Sequence, residues 1–106
     1  MNITLKQMRL FLALTNTLSV TKASQKMHIT QPTASMQLKE MNENIGFPLF
    51  EVISKKIHLT ALGKEFEKTA REMIDRWEAF EQHTTTRGGF LLRKSRQHIV
   101  DIRVSK

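Results

Sequence analysis

Apolar residues recur at helical spacing through four stretches of this chain. Leu5, Met8, Phe11 and Leu12 form one stripe, and Thr4 ahead of it is a plausible N-cap, so a first helix is predicted near Thr4–Thr17. Val20, Ala23 and Met27 follow at spacings of three and four and predict a short second helix. Ala34, Leu38, Met41 and Ile45, at spacings of four, three and four, predict a third over Gln31–Ile45, closed by Gly46 at C′. His28-Ile29-Thr30 is too short for anything but a sharp turn between the last two. Pro32 sits in the first turn of the third helix, where its missing N–H costs nothing. Two helices joined this tightly make a helix-turn-helix.

Beyond Gly46 the period changes. Phe47-Pro48-Leu49-Phe50 is apolar but carries a proline, so it packs on the bundle without continuing the helix. Glu51–Leu59 reads as two short strands around Ser54-Lys55-Lys56, with Ile53, Ile57 and Leu59 supplying the apolar side. A basic hairpin after a helix-turn-helix is a wing. Next comes a long helix over residues 60–83, capped by Thr60 and roughly 36 Å long at 1.5 Å per residue. On it Phe66, Ala70, Met73, Trp77 and Phe80 recur at spacings of four, three, four and three, the seam of a coiled coil. Glu65, Lys68, Glu72 and Arg76 form its solvated face. The alternative is a helix packed on its own head. Dimerisation is favoured, because a three-helix head has little surface to cover so long a stripe. Thr84–Gly89 breaks the helix, and Val100, Ile102 and Val104 alternate with polar residues as in a strand.

The expected fold class is therefore mainly α: a winged helix-turn-helix head over residues 1–59, a dimerisation or linker helix over 60–83, and a basic tail over 84–106. Charge sharpens this division. The head carries seven Lys+Arg against three Asp+Glu, the long helix four against six, and the tail six against one, within a net charge of +7 over 106 residues. That balance suits a polyanionic partner, nucleic acid first, or a merely soluble basic protein. In a basic protein a helix-turn-helix implies one helix in the major groove of DNA. Cysteine is absent, which excludes a disulfide framework and fits a cytoplasmic setting. The apolar run Leu10–Leu14 is far too short to span a bilayer and lacks a secretory pattern, so no membrane association is expected. His28, His58, His83 and His98 are scattered, and Gly88-Gly89 lacks the Lys-Ser of a phosphate loop. Neither an enzyme, a metal site nor a cofactor is expected.

Residues 4–63 resemble the N-terminal DNA-binding domain of LysR-type transcriptional regulators. The resemblance rests on LKQMRLFLAL, the Ser19 to Ala23 stretch, QPTAS, Leu-Lys-Glu-Met, IGFPLFE and LTALG, in that family's order and spacing. It implies a winged helix-turn-helix followed by a linker helix that pairs two subunits, and it extends to about residue 83. A large effector-binding domain normally follows in that family, and none is expected within these 106 residues. Three departures stand out. Met36 occupies a position where the family usually has Arg, Val52 another, and Met41-Asn42 replaces Leu-Glu.

On this reading Gln31, at the start of the recognition helix, has an amide that can donate and accept, as adenine N6/N7 requires. Pro32 offers an apolar surface to a thymine methyl, and Met36 makes a further apolar contact. Thr33 and Ser35 reach base edges or phosphates. Lys39, one turn on from Ser35, meets phosphate, as do Thr21 and Lys22 at the start of the second helix. Lys55 and Lys56, on the wing tip with Ser54, enter the flanking minor groove or bind its phosphates. The partners expected are double-stranded DNA with two half-sites and a second copy of the chain, with higher oligomers also open. The competing function is a protein-interaction module that forms mixed dimers with a full-length regulator. The tail reads as a hinge with the first strand of a further domain, as a disordered basic extension, or as sequence folding back on the dimer, and a partly ordered or disordered tail is the expectation.

Overall fold

The computed structural model of the protein describes residues 2–84. Four helices and one hairpin follow in order: α1 (Leu5–Thr17), α2 (Val20–Lys26), α3 (Gln31–Ile45), β1 (Phe50–Ile53), β2 (Lys56–Leu59) and α4 (Ala61–His83). The fold is mainly helical with a two-stranded antiparallel wing. Residues 85–89 of the expected helix breaker, the strand around Val100, Ile102 and Val104, and the three readings of the tail lie outside the described residues. Internal packing divides the chain into one unit ending at Ile74 and another beginning at Asp75. The division falls within α4, whereas the sequence reading divides at residue 60 by element type.

Local chemistry explains where the helices begin and end. Thr4 caps α1 with a reciprocal capping box: its hydroxyl accepts from the Gln7 N–H at 3.0 Å, and the Gln7 Oε1 accepts from the Thr4 N–H at 3.1 Å. Ser19 accepts from the Lys22 N–H at 3.1 Å to open α2. Thr30 opens α3, and Pro32 sits in its first turn. Gly46 ends α3 at φ 89, the left-handed conformation in which a glycine has no Cβ to clash. Thr60 accepts from the Gly63 N–H at 3.0 Å at the start of α4 and donates to the Pro48 carbonyl at 2.9 Å. The turn between α2 and α3 passes through His28 at φ 59, with the Ile29 N–H donating to the Ser24 carbonyl at 3.0 Å.

In the first unit the core forms where α1, α2, α3, the 47–50 segment and β2 converge: Leu10, Phe11, Leu14, Ala23, Ala34, Leu38, Met41, Leu49 and Ile57. A second cluster joins Met8 of α1 to Ala70 and Ile74 of α4, with Leu5, Leu12 and Phe66 packed around it. Phe66 meets Phe11 edge-on, their ring centroids 5.1 Å apart. Two members of the seam read from sequence are therefore engaged within the chain's own head. The stripe forks at one residue: Ile74 is buried and Met73 exposed. In the second unit Trp77 and Phe80 are exposed, their ring centroids 5.7 Å apart. No helix among the described residues is long and apolar enough to cross a membrane.

The hairpin differs from expectation in one residue. Ile53 pairs with Lys56, and Val52 pairs with Ile57. Residues directly opposite share a face. Phe50, Ile57 and Leu59 consequently pack on the core, while Ile53 lies on the solvent side with Lys56. The turn is the two residues Ser54 and Lys55, at φ 52 and 65. Two successive positive φ values are the mark of the tight turn that matches strand twist, usually made by Asn-Gly.

Candidate nucleic-acid interface

The buried face of α3 determines what its other face can do. Ala34, Leu38 and Met41 point inward and are fully covered. At about 100° per residue, the opposite side belongs to Pro32, Ser35, Met36 and Lys39, all exposed. Gln31 is exposed at its rim, and its Oε1 accepts a hydrogen bond from the Thr21 hydroxyl at 2.9 Å. That bond ties the first turn of α2 to the first turn of α3. Lys22, next to Thr21, is exposed as well. Thr33 is set apart: half-buried, with its hydroxyl oxygen accepting from the Thr30 hydroxyl at 2.8 Å.

The other flank of α3 is fastened to α1. Gln7, almost fully buried, donates from Nε2 to Gln37 Oε1 at 2.8 Å and to Glu40 Oε1 at 3.0 Å. With Oε1 on the Thr4 N–H, every polar group of this side chain except one lone pair is engaged. Gln7 thereby sets how α3 lies on α1. Sequence reasoning missed this role, although the Thr-x-x-Gln capping pattern was visible; a contact across 30 residues leaves no local signal. Asn42, one of the departures from the family pattern, accepts at Oδ1 from the Leu49 N–H at 3.0 Å and holds the segment after Gly46 in place.

The wing presents Ser54, Lys55 and Lys56, all exposed, beside the bare aliphatic side chains of Val52 and Ile53. Charge is not carried by α3 itself, which has Lys39 against Glu40 and Glu43. Positive potential comes from its neighbours: Lys22 and Lys26 on α2, and Lys55 and Lys56 on the hairpin. The arrangement is a polar, hydrogen-bond-capable helix face flanked by separate cationic elements. It fits a grooved polyanion better than a small anion in a pocket.

A protein-family model for bacterial regulatory helix-turn-helix proteins of the lysR family matches residues 5–64. A RuBisCO operon transcriptional regulator of Acidithiobacillus ferrooxidans is 38% identical over 79 residues, covering 74% of this chain and 26% of that protein. The HTH-type transcriptional activator CmpR of Synechocystis sp. is 46% identical over 63 residues, covering 59% of this chain and 21% of that protein. The chain thus spans roughly a quarter of the length of the curated relatives it matches. Among solved structures, the BenM DNA-binding domain in complex with benA site 1 DNA is similar at a TM-score of 0.75 and 28% identity. That match covers 79% of this chain and 94% of that one.

Proposed function

Because the chain belongs to the LysR family of bacterial regulatory helix-turn-helix proteins, we propose that it binds double-stranded DNA by sequence, as a transcriptional regulator or as the DNA-binding part of one. The observation that carries this reading is the free face of α3. A helix whose inner side is fully covered leaves Gln31, Pro32, Ser35, Met36 and Lys39 in solvent, on an element of the right width for the major groove. Gln31, Pro32, Ser35 and Met36 meet base edges. Thr21, Lys22 and Lys39 meet phosphates, with Thr33 at the edge of the footprint. Ser54, Lys55 and Lys56 track the flanking minor groove.

Two copies pair through α4, where Met73, Trp77 and Phe80 are exposed; Phe66 and Ala70 support that helix from within the head. The protein works in the cytoplasm and acts by occupancy rather than catalysis. The mixed-dimer reading has no observation in its favour. Selection of bound duplexes from a random pool tests the proposal. The expected product is a motif of two half-sites in twofold relation, separated by whole helical turns. A pool that stays random after repeated rounds overturns it.

The wing supplies a second test with two opposed readouts. Lys55 holds a left-handed backbone that costs a side-chain-bearing residue about 1 kcal/mol or more. Lys55→Gly is expected to raise the denaturation midpoint while weakening DNA binding, since it also removes a cation from the tip. Thermal unfolding and a titration with duplex read the two effects separately. A drop in both would mean that the lysine side chain supports the hairpin itself.

A further inference from the structure

We propose that Met36 is a specificity-determining residue that reads the 5-methyl group of a thymine, so that each half-site carries an A·T pair opposite the middle of α3. The inference rests on the DNA-binding reading above and names the sequence class that reading leaves open. Met36 is 58% exposed, although it lies on a well-packed helix. The core does not need it, because Ala34, Leu38 and Met41 already fill the inner face. Pro32 is exposed one turn earlier, and residues four apart on a helix are neighbours. Together they make an apolar ridge about 6 Å long, just under two base-pair steps.

The chemistry around that ridge narrows its target. The α3 sequence contains no arginine, and its one cation is Lys39. No guanidinium fork is therefore available on α3 for guanine O6 and N7. Among base edges in the major groove, only thymine presents an apolar group. A solvent-exposed thioether chain gains by covering that methyl and gains nothing from the bare edge of a G·C pair.

The test uses the full chain and the duplex selected from the random pool. Each thymine of a half-site is replaced in turn by uracil, which keeps base pairing and removes only the methyl. At one thymine per half-site, uracil is expected to weaken wild-type binding about fourfold, the effect of one buried methyl. Met36→Ala is expected to show no such difference between thymine and uracil at that position, while the other positions behave as in the wild type. Tight, salt-sensitive binding that ignores every uracil overturns the role of Met36 and leaves DNA binding standing. An equal uracil effect in both proteins assigns the methyl to another residue and also overturns it. No binding to any duplex overturns the DNA reading and this inference together.

Discussion

Gly63→Ala is expected to destabilise the protein by about 3 kcal/mol, the upper range for forcing one extra carbon into a packed site. A Cβ at this position would lie 1.9 Å from the Leu49 carbonyl oxygen and 2.9 Å from its carbon. Both are backbone atoms, so no side-chain rotation relieves the clash. Nor can the segment around Leu49 retreat easily. Its N–H is held by Asn42 Oδ1 at 3.0 Å, its carbonyl accepts from the Thr60 N–H at 3.1 Å, and the Pro48 carbonyl accepts from the Thr60 hydroxyl. The Leu49 side chain is itself fully buried in the core. The first turn of α4 must lift away, loosening Phe66 from Phe11. Helix propensity pulls the other way: alanine is better than glycine in a helix by about 1 kcal/mol. The two effects differ in sign, so a urea titration decides between them. A fall in midpoint at unchanged slope is expected. A midpoint that rises would show that propensity wins and that α4 does not approach Leu49 this closely.

Gly63 also marks the boundary of what the sequence reveals. Caps and periodicity are local, so α1, α3 and α4 could be read almost to the residue from Thr4, Gly46, Thr60 and the apolar spacings. The inward positions of α3 followed, because burial on a helix repeats with the turn. The close approach of Gly63 to Leu49 joins residues fourteen apart and has no period. The stripe on α4 failed differently. Phe66 and Ala70 fit both a dimer seam and a core stripe, and the two diverge only where Ile74 turns inward and Met73 outward. Spacings of three and four cannot separate faces that share their first two members. On the wing the slip was one of parity. Ile53 looked like a core residue, but its partner across the ladder is Lys56, and a shift by one residue reverses every side chain. The candidate interface was legible as residue types at the start of α3. The bond from Thr21 to Gln31 and the clamp from Gln7 to Gln37 and Glu40 were not, since both depend on how helices cross.

Affinity for duplex DNA is expected to fall about ten-thousandfold between 50 and 200 mM salt. The size follows from the cations the fold exposes. Lys22, Lys39, Lys55 and Lys56 are all in solvent. On the proposed pairing of two heads through α4 they would meet about eight phosphates, each contributing about −0.9 to the slope of log K against log salt. The distribution matters as much as the total. On α3 Lys39 is outnumbered by Glu40 and Glu43, so the reading helix adds little attraction of its own and leaves the pull to its flanks. Neutralising Lys22 or Lys56 should then lower the slope by about two per dimer and weaken specific and random duplexes alike. Exchanging Met36 or Gln31 should change which duplex is preferred and leave the slope where it was. A titration series over salt with a slope near zero would sink the assignment of these lysines to phosphate. A slope that dropped for Met36→Ala as much as for Lys56→Gln would show that attraction and readout are not divided between elements in this way.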